Sequence, residues 1–372
     1  MNDRDRILAI LDHQPPDRIP WIPRLKPWYQ ARINTHTMPE KWKDLSLRDL
    51  EKTLGAGTPA RDGKIYDTVH DNVEIVEFEK DGKRVKEYRT SKGTVRTVKR
   101  YSDTLNELGL SGRTEEFLLK GPADYLVWEY VMEHTRWEPR YEDYQAYVED
   151  IGGDGLPILG VGDVPFHEFA EVLTGYEQAF CQLADYPAEV AHLLQVITGV
   201  QRERLWPVIA NSPARLIQHG SHLSSQITPP PLFEKYITPY YREFNSLMHE
   251  HGKSVAMHAD ADTSLILEQI ESAGWDMVEC FVTSPMVPVT VERAREVWGS
   301  RIIIWGGIPS LLFAPTFPEE EFRRQIEELF AAIAPGDAFI LGVADNVMPD
   351  SVIDRVAWIS DYVEKNGDCP LT

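Results

Sequence analysis

Within residues 215–286, three apolar runs each end in side chains that bind metals or move protons. Leu216 and Ile217 lead into His219 and His222. Residues 254–257 lead into His258, Ala259 and Asp260. Met277 and Val278 lead into Glu279 and Cys280. Imidazole, carboxylate and thiolate are the ligand types of zinc and related divalent ions. The same groups act as general acids and bases. Helical spacing separates the three runs, so the stretch reads strand, helix, strand, helix, strand. In a parallel α/β fold the C-terminal strand ends form the working face. Three successive strands therefore bring polar groups to one place, and the active site is expected there.

The elements around this stretch repeat its pattern. Residues 156–161 form a continuous apolar run, as a buried strand requires. Residues 301–305 and 338–341 read as further buried strands, the last running into Asp345 and Asn346. Helices are expected over 188–209, 231–251 (kinked or split by Pro239), 264–273, 291–298, 318–333 and 349–365. Sustained alternation implies a parallel sheet, and the number of units fits a closed (β/α)8 barrel. Residues 18–25 are a candidate first strand despite two prolines. The segments 73–78, 84–90 and 94–101 alternate and are β-branched, with Asp-Gly and Lys-Gly turns between them. They predict a three-stranded antiparallel meander inserted into the barrel. The pattern predicts one barrel domain over residues 1–372.

Net charge is −21 over 372 residues, which argues against nucleic acid or an anionic membrane surface as partner. Three cysteines, Cys181, Cys280 and Cys369, are too few for a disulfide framework and point to a reducing cytoplasm. The first residues are charged and amphipathic rather than signal-like. No apolar run reaches the roughly 20 residues that span a bilayer. Without a Gly-x-Gly-x-x-Gly sequence, Gly306-Gly307 suggests close backbone approach to a ligand rather than a nucleotide site. Trp21, Trp28, Tyr29 and Trp42 are either core packing or an aromatic wall for a flat substrate.

HGKSVAMHADAD, ESAGWDMVE, RIIIWGGIPS and FILGVADNVMPDS, taken in order, resemble the uroporphyrinogen decarboxylase superfamily. That superfamily includes the decarboxylase and the zinc methyltransferases that work with corrinoid proteins. The similarity runs from DRILAILDHQPPDRIPW to the last helix. It implies a distorted TIM barrel with its site at the C-terminal strand ends. In the decarboxylase, arginines of a motif of the type MRQAGRY hold substrate carboxylates. The matching stretch here keeps the first as Arg24 but has Trp28 at the second. Asp345 stands four residues before Pro349, where the decarboxylase has a histidine. Porphyrinogen decarboxylation is therefore not expected.

The thiol-methylating members bind zinc through His-x-Cys and a distant Cys. Here His258-Ala259-Asp260 and Asp345 occupy those positions. The resemblance thus implies a His258, Asp260, Asp345 set, holding zinc or a harder ion, with His222, Glu279 and Cys280 as alternatives. The O-demethylating branch fits best. Its reaction moves a methyl group from a methoxylated, aromatic substrate to the Co(I) corrinoid of a partner protein. No Asp-x-His-x-x-Gly pattern occurs, so a separate protein must supply the cobalamin. His258, Asp260 and Arg24 are the expected catalytic residues. A cofactor-free decarboxylase or lyase of a smaller acid is the alternative, with Arg24 as carboxylate anchor and Asp260 or Asp345 as acid/base. A ligand-binding barrel without chemistry is the third. A second copy of the chain is left open as a partner. Asp260 and Asp345 also have helix-capping roles open to them, and Cys280 a role as a small apolar side chain.

Overall fold

The computed structural model of the protein describes residues 1–109 and 112–371. The chain divides into two compact units. The first comprises Met1–Gly63, Asp143–Gly162 and Ala214–Thr372, the second Lys64–Glu142 and Asp163–Pro213.

Six parallel strands, side by side in chain order, form the frame of the first unit. They are β1 (Ile158–Gly160), β2 (Leu216–Ser221), β3 (Ser254–His258), β4 (Met277–Phe281), β5 (Ile303–Pro309) and β6 (Phe339–Ala344). Every residue of β3, β4, β5 and β6 is buried, as expected when both faces are covered. Two irregular segments complete the ring. Leu341 N on β6 donates to Pro20 O, and Ile22 N donates back to Leu341 O, both at 2.9 Å. Gly57 N donates to Trp21 O at 2.9 Å, and Ile158 N on β1 donates to Ala60 O at 3.0 Å. Eight extended segments thus follow one another around a closed cycle, a distorted (β/α)8 barrel. Pro20, Pro23 and Pro59 account for the irregular pair, because proline has no N–H for a ladder. The strand expected over 18–25 is reduced to bridges for this reason.

The N-terminal helix Asp3–Leu11 plugs the end of the barrel where the strands begin. Ile7, Ile10 and Leu11 fall on one helical face. They pack in one buried cluster with Ile158, Leu216, Met277 and Ile303, each the first residue of its strand. Polar chemistry is left to the opposite end. Trp21, Trp28 and Trp42 are buried. Trp28 and Trp42 meet edge to face at 6.1 Å, and Trp21 Nε1 donates to Ser360 Oγ at 3.0 Å. They are packing residues rather than a substrate wall. The helix expected over 231–251 is broken as anticipated, into Pro230–Leu232, a wider turn Phe233–Ile237, and Thr238–Glu250 with Pro239 in its first turn.

The second unit holds the meander, with one strand more than the sequence suggested. Glu74–Lys80, Lys83–Thr90, Gly93–Arg100 and Arg113–Glu116 form a four-stranded antiparallel sheet. Asp81 and Gly82 make the first turn with φ of 52° and 70°, the two positive values a type I′ turn needs. The fourth strand reads Arg-Thr-Glu-Glu and has no apolar alternation. Ion pairs attach it instead, Arg96 to Glu116 at 3.0 Å and Lys83 to Glu115 at 2.6 Å. The buried Val95 stands opposite Tyr88 in register, on the face that turns to helix Pro122–Glu133, where Tyr88 meets Trp128 edge to face at 5.3 Å. No helix among the described residues is long and apolar enough to cross a membrane.

Glu51 ties helix Leu47–Thr53 to the second irregular segment. Its carboxylate is 1% exposed and accepts from Thr58 Oγ1 at 2.8 Å. Burial pushes this carboxyl up to about 7, against the opposing effect of the Thr58 hydroxyl. The folded state therefore holds the proton more tightly than the unfolded chain. Stability falls as pH rises from the ordinary carboxyl range to about 7, and the loss persists above it. Glu51→Gln is expected to be more stable than wild type by about 3 kcal/mol at pH 8 and nearly equal to it at pH 4. Urea midpoints at the two pH values check this; an equal difference at both would contradict it.

Candidate metal centre

Six of the eight barrel segments send a side chain to the C-terminal end. Arg24 follows the first irregular segment and Arg61 the second. His222 follows β2, and His258 with Asp260 closes β3. Glu279 and Cys280 lie on β4, and Asp345 follows β6.

Register explains the central pair. Glu279 on β4 stands opposite His258 on β3 in the parallel ladder, so both side chains leave the same face of the sheet. Glu279 Oε2 meets His258 Nδ1 at 2.5 Å. That contact fixes the imidazole and leaves Nε2 facing Asp260 Oδ2 at 3.5 Å. The other oxygen, Glu279 Oε1, pairs with Arg61 Nη1 at 2.6 Å, a charge contact rather than an aligned hydrogen bond. Arg61 Nη2 also donates to Gln218 Oε1 on β2. Glu279 therefore stands behind His258 with both oxygens engaged, in the position of an orienting carboxylate rather than a direct ligand.

Consecutive strand residues point to opposite faces, so Glu279 and Cys280 would not both face the site in a regular strand. A register shift between Glu279 and Phe281 resolves this. Cys280 takes φ of 62°, which swings its thiol toward Asp345. Its Sγ lies 3.4 Å from Asp345 Oδ1. Gly306 on β5 makes the bulge possible, since a Cβ there would stand 2.6 Å from Phe281 N. Of the glycine pair expected to admit a ligand, Gly306 admits the backbone of β4, while Gly307 packs against the Phe339 ring. Arg24 Nη1 donates to Asp345 Oδ1 at 3.1 Å and lies 3.8 Å from Cys280 Sγ. At the outer edge His222, also at positive φ, pairs through Nδ1 with Asp260 at 2.7 Å.

Charge is balanced within the cluster. Burial alone would lower the His258 pKa, but Glu279 and Asp260 overcome it and raise it to about 9. Burial would raise Glu279, yet Arg61, His258 and Arg24 hold it below the usual carboxylate range. Asp260 is held low in the same way by His222 and His258, against burial. Burial, then Glu279 and Asp345, push the Cys280 thiol well up.

Among the described residues two donor sets could hold a metal ion, His222–His258–Asp260 and His258–Cys280–Asp345, with donor atoms within 4.8 Å of one another in each set. Tetrahedral zinc with bonds of about 2.0–2.3 Å places its ligand atoms about 3.3–3.8 Å apart. The nitrogen, sulfur and oxygen donors suit zinc, and a small contraction brings them to bonding distance. Of the residues expected here, His222, His258, Asp260, Glu279, Cys280, Asp345 and Arg24 all gather. His219 does not: it is buried against Tyr241 and Tyr240, whose hydroxyls lie 2.9 and 3.3 Å from its ring nitrogens. His70 and His167 belong to the second unit, where Thr135 and Asp163 hold them. Sequence reasoning missed Arg61 and Gln218. The segment before Arg61 has no strand pattern to mark its end, and Gln218 sits inside an apolar run.

Arg61→Ala leaves the 1% exposed Glu279 carboxylate short of a counter-charge. Removing one partner of such a pair is expected to cost roughly 3 kcal/mol, with Arg61→Lys recovering part of it. Urea unfolding reads the loss; a change under about 0.5 kcal/mol, the level of an ordinary surface substitution, would show that Arg61 does not support Glu279.

The chain is similar to known proteins at two levels, fold and sequence family. Among solved structures, a methyltransferase from Methanosarcina mazei is similar over 98% of this chain and 99% of its own, with a TM-score of 0.56 and 15% identity, so the two share a fold. A ribulose-1,5-bisphosphate carboxylase/oxygenase from Pyrococcus horikoshii OT3 covers 82% of this chain and 79% of its own at 10% identity, with a TM-score of 0.27. A dipeptide epimerase from Methylococcus capsulatus covers 81% and 80% at 15% identity, with a TM-score of 0.25. Scores this low carry no argument. No curated protein matches the sequence. The family model for uroporphyrinogen decarboxylase (URO-D) matches residues 130–366, well over half of the chain. The chain belongs to the uroporphyrinogen decarboxylase family.

Proposed function

We propose that the protein is a metal-dependent methyltransferase. It takes a methyl group from a methoxylated, aromatic substrate and passes it to the Co(I) corrinoid of a separate protein. The observation that carries this reading is the gathering of His258, Asp260, Cys280 and Asp345 at the C-terminal strand ends. The fold shared with a methyltransferase supports it.

His258 and Asp345 are the core of the proposed ligand set, with Asp260, Cys280 and His222 as the donors beside them. Zinc bound there supplies Lewis acidity, which stabilises negative charge on an ether oxygen. The chain's own groups do the rest. Glu279 holds the imidazole of His258 in one orientation and keeps Nε2 toward the site. Arg24 pairs with the Asp345 carboxylate and lies 3.8 Å from Cys280 Sγ. His222, held by Asp260 through Nδ1, is half exposed at the outer edge. It can hand a proton to the departing phenolate. Both arginines are already paired, Arg24 with Asp345 and Arg61 with Glu279. That weighs against the decarboxylase reading, which needs Arg24 to hold a substrate carboxylate.

The test is methyl transfer from a panel of methoxyarenes to a reduced corrinoid protein, followed by the absorbance change from Co(I) to methylcobalt. Zinc-loaded wild type is expected to drive it. Glu279→Gln, which keeps the shape but loses the charge behind His258, is expected to be slower by about 10–100-fold. Loss of carbon dioxide from a small acid, with no methyl transfer to any corrinoid, would favour the decarboxylase reading instead.

A further inference from the structure

The two donor sets share His258, and with its Nδ1 held by Glu279 only one of them can use its Nε2. Resting on the metal reading above, we propose that His258, Cys280 and Asp345 seat the ion, with Cys280 as its thiolate ligand. Asp260 and His222 then remain together as a separate hydrogen-bonded pair.

The thiol is 2% exposed and is brought to Asp345 by a left-handed residue in mid-strand, φ 62°. For a side chain other than glycine this conformation is costly. The cost places Sγ 3.4 Å from the Asp345 carboxylate. Gly306 supplies the room this bulge needs. Arg24 is aimed at both donors, 3.8 Å from Sγ and 3.1 Å from Asp345 Oδ1. A guanidinium there favours the thiolate and remains as its outer hydrogen-bond partner. Asp260, by contrast, lies 2.7 Å from His222 and 3.5 Å from His258 Nε2, so its closer partner is the half-exposed imidazole. Zinc also favours thiolate over a further carboxylate. On binding, the Cys280 S–H bond breaks, the sulfur–metal bond forms, and the proton passes to the buffer.

Cobalt substitution tests the assignment without turnover. Co2+ is added to the metal-free protein and the spectrum recorded for wild type, Cys280→Ser, Cys181→Ser and Cys369→Ser. Visible d–d bands report that the ion is bound; a near-ultraviolet sulfur-to-cobalt band reports a thiolate ligand. Wild type, Cys181→Ser and Cys369→Ser are expected to show both. Cys280→Ser is expected to lose the near-ultraviolet band and to bind Co2+ at least tenfold more weakly. Visible bands without a sulfur band in wild type would overturn the Cys280 ligand while leaving the metal centre standing. A sulfur band retained in Cys280→Ser would also overturn it. Absence of any Co2+ binding by wild type would remove the metal centre itself, and this assignment with it.

Discussion

A carboxylate buried to 1% exposure can stay ionised only where fixed positive charge surrounds it, and Glu279 is such a group. Arg61, His258 and Arg24 provide that charge. Their positions follow from the barrel: His258 is its neighbour in register, and the two arginines follow the two irregular segments that close the ring. Glu279 in turn decides what His258 can do, since it holds Nδ1 and leaves Nε2 toward the cluster. Removing Arg61, His258 or Arg24 takes away part of the positive charge that keeps Glu279 ionised. The candidate centre is therefore tied to the closure of the barrel, and not only to the loops above it.

The two ends of the barrel divide the work. Where the strands begin, the amphipathic helix Asp3–Leu11 and the first residues of four strands form an apolar plug. Where they end, regular strand geometry gives way. β2 and β4 both have register shifts, and His222 and Cys280 both adopt left-handed backbone. Regular strands would turn alternate residues outward. The irregularities instead let neighbouring residues face one place, at a cost carried by the packed frame below.

Much of this was legible in the sequence, for identifiable reasons. Buried parallel strands are continuous apolar runs, so β2–β6 and the residues at their ends were visible, and His222, His258, Asp260, Glu279, Cys280 and Asp345 were found through them. The irregular segments were not. Prolines remove their ladder donors, so the end of the second, and Arg61 with it, had no pattern to mark it. The fourth strand of the antiparallel sheet was hidden because ion pairs rather than alternating apolar residues attach it. His219 and His222 looked alike in sequence. Only the bulge between Gln218 and Ser221 sends one into the helix layer and the other to the site. Glu279 could not be told from a ligand until the register showed it behind His258.

The account turns on whether this cluster holds a metal ion through His258. Elemental analysis of wild type and His258→Ala, purified side by side without chelator, answers that directly. The account predicts about one zinc per wild-type chain, with the ion lost from the variant while its fold is retained by circular dichroism. Wild-type protein that carries no metal and takes up none on addition of zinc would contradict it.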